Sequence, residues 1–147
     1  MSNLRFVLDT NVIISAALLP KSIVRQAFDR AVTEGTILLS DEILLEWERI
    51  IRKPKFNKYI LEDERIEFLS GLNQEASRIK ITELITQARD QKDNKFLELA
   101  VSGHASCIVS GDEDLLVLHP FRGIPILTPR QFLEWLEGQL QDEQGDN

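Results

Sequence analysis

Several acidic residues stand at the ends of apolar runs or on predicted helices, where their charges could meet. The stretch RFVLDTNVIISA, residues 5–16, places one carboxylate, Asp9, at the end of an apolar run. A charge at the end of a buried strand is costly unless it is paired or bound to a cation. Asp112 and Asp114 follow a second apolar run in SGDEDLL, Asp90 and Asp93 lie in RDQKDNKFLELA, and Glu46 lies in DEILLEWERIIRK. No histidine or cysteine cluster accompanies them, which suits hard, oxygen-seeking cations such as Mg²⁺ or Mn²⁺. If the acids converge, their mutual repulsion favours cation binding. A metal held there lowers the pKa of water and clamps phosphoryl oxygens, so phosphodiester hydrolysis follows as a reaction class.

Each acid also has a structural explanation. Asp93 precedes a helical pattern and suits an N-cap, stabilising by about 1 kcal/mol. Asp112 and Asp114 fit a turn or cap before DLLVL, and Asp9 before TN fits a capping pattern too. For Glu46 the helical stripe Ile43, Leu44, Trp47, Ile50 and Ile51 leaves a tie: Glu46 and Glu48 flank it equally on opposite sides.

The elements that would position these acids alternate between strand and helix. RFVLD (5–9), TILLS (36–40), RIKI (78–81), CIVSG (107–111) and IPILT (124–128) read as strands. Helical spacing predicts helices over 22–35, 41–53, 62–76 and 93–103, with a short turn or helix at 56–60. Thr128, Pro129 and Gln131 form a capping box that opens a last helix, FLEWLEGQL. Such alternation points to an α/β protein with a mostly parallel sheet. Ligands in these folds bind beyond the carboxyl ends of the strands, near a topological switch point, which is where Asp9 would stand.

A chain of 147 residues, 43% hydrophobic, suits one domain with its own core. Residues 1–140 are read as that domain and 141–147 as a disordered tail. No apolar run is long enough to span a bilayer, and the N-terminus lacks a signal-peptide pattern, so a cytoplasmic protein is expected. The single cysteine, Cys107, reads as a buried structural thiol. A net charge of −7 argues against a dedicated nucleic-acid binder, but an acidic cation site would account for several of those charges.

Together, DTNV after an N-terminal strand, an acid in the second long helix, RDxxDNKFLELA and SGDEDLL resemble the PIN-domain family. They resemble most closely the bacterial PIN proteins described as toxins of toxin–antitoxin systems, over roughly residues 4 to 136. The resemblance implies a single-domain α/β PIN-like fold, about five mostly parallel strands flanked by helices. It also implies a Mg²⁺- or Mn²⁺-dependent ribonuclease, an antitoxin partner and a homodimer. Carried over, the catalytic and metal-binding acids are Asp9, Glu46, Asp93 and Asp112, with Asp114 as a further ligand. Asn11 and Ser110 match supporting polar positions. The third acid has two candidates, Asp93 and its neighbour Asn94 as a neutral ligand, with Asp90 as outer support.

An acid pocket repels phosphate until metal binds, so basic residues should flank it. Arg49, Arg52, Lys53, Lys55 and Lys58, with Phe56 and Tyr59 interleaved, suit a single RNA strand through charge and stacking. The same residues suit a solvated helix end, or a surface for an antitoxin. Two other readings compete. One is a PIN-like binding module without catalysis. The other is a different phosphoryl-transfer α/β protein, although Asn11 stands where haloacid-dehalogenase-type phosphatases need a second aspartate.

Overall fold

The computed structural model describes residues 3–145. Five parallel strands form one sheet: β1 (Arg5–Leu8), β2 (Thr36–Leu39), β3 (Ser77–Arg78), β4 (Cys107–Val109) and β5 (Ile126–Leu127), in the spatial order β3-β2-β1-β4-β5. The chain starts in the middle, builds outward to one edge, then returns to build the other. The switch therefore falls between β1 and β4. Helices cover the sheet: α1 (Thr10–Leu18), α2 (Ile23–Glu34), α3 (Asp41–Ile51), α4 (Glu62–Glu75), α5 (Asn94–Ser102), α6 (Glu113–Leu116) and α7 (Pro129–Gly145). The expected α/β class and parallel sheet are what the structure shows.

The three central strands are apolar on both faces, as strands sandwiched by helices must be. Phe6, Val7, Leu39, Cys107, Ile108 and Val109 are fully buried. Burial pushes the Cys107 thiol well above its ordinary range, in keeping with an inert core residue. On one side α7 lays Phe132 and Leu136 into the core, with Phe132 edge-on to Phe6 at 5.1 Å between ring centroids. The capping box forms as read: the Thr128 N–H donates to Gln131 Oε1 (3.0 Å), and the Gln131 N–H donates to Thr128 Oγ1 (3.2 Å).

Three expectations change. The residues after Asp9 form a full helix, α1, where the sequence shows only a capping pattern; its buried Val12, Ile13, Ile14, Ala16 and Ala17 leave just Asn11 and Ser15 as a short polar stripe for periodicity to detect. The strand read at 78–81 shortens to Ser77–Arg78, because the chain leaves the sheet edge after the Ile79 N–H bonds Leu39 O (2.8 Å). The last helix continues to Gly145, into the segment read as a disordered tail; Gln and Glu, which make up much of that segment, are good helix formers. The final two residues of that tail lie outside the described residues.

From Ile79 to Asp90 the chain runs without regular structure, and side chains hold it in place of a ladder. The Thr82 N–H donates to Ser102 Oγ (3.0 Å), the Ile85 N–H to buried Glu98 Oε2 (3.0 Å), and the Ala88 N–H to Asn94 Oδ1 (2.9 Å). All three acceptors lie on α5, so this helix carries the segment to the strand ends.

Candidate functional site

The site begins in the register of β1 and β4. Leu8 pairs with Val109, so the next residues, Asp9 and Ser110, emerge side by side at the carboxyl edge. The Asp9 N–H extends the ladder to Val109 O (3.0 Å). Both carboxylate oxygens of Asp9 are used: Oδ1 accepts from the Val12 N–H (2.8 Å), capping α1, and Oδ2 accepts from the Ser110 hydroxyl. Ser110 Oγ in turn accepts from the Asp112 N–H (2.9 Å), and Asp112 Oδ1 caps α6 by accepting from the Asp114 N–H (2.9 Å). Capping is thus real at Asp9 and Asp112, and it fixes both residues at the rim.

Asp9, Glu46, Asp90, Asp93 and Asp112 line one pocket, together with Thr10, Asn11, Lys92, Lys95 and Phe96. The acids come from five places in the chain: the end of β1, the middle of α3, both ends of the turn before α5, and the start of α6. Glu46 faces this pocket, whereas Glu48 lines the separate groove between α3 and α4. The tie that helical spacing left open is broken by which side of α3 meets the strand ends.

Asp93 does not do the capping work expected of it. Asp90 caps the tight turn, accepting from the Lys92 N–H (3.0 Å), while Asp93 makes no cap bond. Its Oδ2 is buried without a hydrogen-bond partner, as is Thr10 Oγ1. Burial, with the Asp112 charge beside it, pushes the Asp93 carboxyl up from 3.8 to about 7; Lys95 opposes the shift. Asp9 is also raised, chiefly by burial, against the lowering effect of the Ser110 bond. Both shifts mark a pocket where burial, and the neighbouring carboxylates after it, oppose ionisation.

Asn94, the alternative third ligand, is turned elsewhere: its Oδ1 holds the Ala88 N–H, and it does not line the pocket. Asn94→Ala should lower thermal stability, by about 1–3 kcal/mol for an orphaned buried N–H, while leaving Mn²⁺ affinity near wild type in calorimetric titration. A loss of affinity as large as that of Asp93→Asn would return Asn94 to the ligand set. Asp114 stands outside the pocket lining and pairs with Arg89 (2.8 Å). Yet it brings a carboxylate oxygen within 4.8 Å of one each from Asp90 and Asp93. Asp90, read as outer support, therefore belongs to the tightest acid grouping among the described residues.

The donor set fits a hard divalent cation. Its donors are oxygens, mostly carboxylates; two buried ones, Thr10 Oγ1 and Asp93 Oδ2, are unpartnered, and no imidazole or thiolate lines the pocket.

A sequence-family model described as PIN domain matches residues 5–114. The chain belongs to the PIN-domain family. An uncharacterized protein of Methanocaldococcus jannaschii (MJ1680) is 30% identical over 144 residues, covering 91% of this chain and 92% of its own. Two crystal structures share the fold. PAE2754 of Pyrobaculum aerophilum superposes with a TM-score of 0.60 at 13% identity, over 89% of this chain and 88% of its own. VapBC2 of Rickettsia felis, bound to a DNA fragment from their promoter, gives 0.54 at 12% identity, over 84% and 97%. At these identities the structures speak for the PIN architecture. The family match spans every acid of the pocket and ends at Asp114.

Two lysines of the pocket, Lys92 and Lys95, are absent from the residues singled out by sequence. Lys95 Nζ pairs with Glu46 Oε2 at 2.7 Å and also donates to Lys92 O. Its one signal in sequence is position: two residues after Asp93, at the start of a helix whose other residues are mostly buried.

The five basic residues read as an RNA surface lie outside the pocket lining. Arg49 is nearly one turn beyond Glu46 on α3, and Arg52 lines the α3–α4 groove. Lys55 and Lys58 rest their ammonium groups over Phe56 and Tyr59, each 5.2 Å from the ring centroid. Arg65, fully buried on α4, ties this turn down: its Nε donates to Ile51 O (2.8 Å) at the end of α3, and Nη1 to Asn57 Oδ1 (3.1 Å) and to Ile60 O.

Proposed function

We propose that the protein is a Mg²⁺- or Mn²⁺-dependent endoribonuclease. PIN domains are generally nucleases. The observation that carries the finer reading is the convergence of Asp9, Glu46, Asp93 and Asp112, from separate elements, on one pocket at the strand switch point. Asp9, Asp93 and Asp112 would hold the cation, with Glu46 and Asp114 as further ligands. A divalent ion so bound supplies an activated water and offsets charge on the phosphodiester oxygens. The chain's own residues do the rest. Ser110 holds Asp9 in one orientation, Asp112 is fixed by its cap, and Asn11 faces the pocket at its exposed rim.

The basic turn around Lys53–Lys58 would receive the RNA strand. Replacing Lys53, Lys55 and Lys58 together by Gln should weaken RNA binding uniformly across sequences. It should also reduce the log–log salt slope by about 2, at roughly 0.7 per neutralised contact with a single strand. An unchanged slope in fluorescence-anisotropy titrations would remove these lysines from the RNA surface.

The same reading makes the chain a cytoplasmic toxin of a toxin–antitoxin pair, forming a homodimer and inhibited by a small protein. The structural likeness to VapBC2 supports a protein partner. Incubating RNA with the protein and Mn²⁺ tests the activity: cleavage should appear, and chelation should stop it. Turnover of a small phosphate ester with no RNA cleavage would favour a general phosphoesterase instead.

A further inference from the structure

The acid pocket already holds a cation of its own. Lys95 sits at the start of α5 with its side chain only 11% exposed, and its ammonium lies 2.7 Å from Glu46 Oε2, itself 20% exposed. The attraction in such a pair is screened less than in a surface pair, and each group, having given up hydration, depends on the other. The ammonium is also anchored by its bond to the Lys92 carbonyl. Of the two lysines in the pocket, Lys92 is exposed and makes no ion pair with an acid among the described residues. Glu46 is thus the one acid there with a lysine bound to it, while Asp93 keeps an unpartnered buried oxygen.

We propose that Lys95 is an exchangeable resident cation, competing with the divalent metal for Glu46 and so setting how tightly the site takes it up. This rests on the metal-site reading above. A carboxylate bound to an ammonium must give up that bond before it can serve as a ligand, so part of the metal's binding free energy goes into breaking the pair. In the metal-free protein the same pair offsets repulsion among five neighbouring acids. Lys95 therefore stabilises the empty site and weakens the filled one.

The two effects have opposite signs, which a merely structural lysine would not give. Lys95→Met should tighten Mn²⁺ binding about tenfold in calorimetric titration, the lower range for a lost hydrogen bond to a charged group. It should also lower the melting temperature in chelator. Lys95→Arg should keep both values near wild type. The decisive comparison is a double-mutant cycle with Glu46→Gln. With the carboxylate gone, adding Lys95→Met should give a much smaller change in Mn²⁺ affinity, because only the action of the Lys95 charge on Asp93 and its neighbours is left. An equal gain in both backgrounds would mean that Lys95 acts only as a distant charge, and no gain in either would mean no competition; each overturns the proposal. Absence of Mn²⁺ binding by the wild-type protein would instead overturn the metal site itself.

Discussion

Replacing Asp9 by Asn is expected to reduce metal-dependent RNA cleavage by at least about a hundredfold, beyond the ~10–100-fold typical when only an outer partner of a metal ligand is lost. The fold should survive. Asn is as good an N-cap as Asp, so the bond from the Val12 N–H is retained. Ser110 already accepts from the Asp112 N–H, and it can accept from the new amide in place of donating to a carboxylate. Stability of the metal-free protein should stay level or rise. Burial raises the Asp9 carboxyl, so ionising it at neutral pH costs folding free energy that Asn does not incur. Cleavage assays, Mn²⁺ titration and thermal melts in chelator check the three parts. Full activity in Asp9→Asn would sink the assignment, and an unfolded variant would shift the test to Asp112.

The second large effect is on pH. Asp93 moves from 3.8 to about 7 on folding, so between these values the folded chain binds a proton that the unfolded chain has released. Stability in the absence of metal should therefore fall as pH rises from about 4 to 7 and level off above that. Metal binding runs the other way, because the ion displaces the proton: affinity should climb through neutral pH, by up to about tenfold per unit where one proton is released. Asp93→Asn should be more stable than wild type at pH 8 in chelator, bind Mn²⁺ weakly, and lose most of the slope in both measurements. The remaining slope belongs to Asp9. Melting temperatures at pH 5 and 8, paired with calorimetry across the same range, would show it. Melting curves independent of pH would mean that Asp93 is solvated and ionised throughout.

Much of this architecture is readable from local signals. The long helices announce themselves through apolar spacing and through caps such as Ser22, which accepts from the Arg25 N–H at 3.1 Å. The short central strands are apolar runs closed by polar residues. What escapes is what depends on distant partners. α1 is largely enclosed, with only Asn11 and Ser15 as a short polar stripe, so its period carries little contrast. The segment Ile79–Asp90 is shaped by Ser102, Glu98 and Asn94, residues of a helix that follows it in sequence.

The pocket shows the same division. Asp9, Asp112 and Asp93 could be singled out because each sits at an element boundary. Family pattern favoured Glu46 over Glu48, and the packing of α3 gives the physical reason. Asn94 is turned away from the pocket by a single backbone N–H, that of Ala88, which no spacing rule exposes. Lys95 passed unnoticed because a lysine at a helix start looks like solvated surface, whereas its stem is buried and its charge is directed inward.

Arg65 gives the basic turn a property that its charge alone would not. The turn is bound to the ends of two helices through a guanidinium with no carboxylate partner among the described residues, held by neutral oxygens of Ile51, Asn57 and Ile60. A surface fixed in this way keeps its shape before anything lands on it. If a strand docks there, the backbone of the receiving face needs no ordering, and the cost on the protein's side falls on its exposed lysine side chains. The cost of that rigidity is met inside the protein, by a charge kept out of water, and is settled when the chain folds.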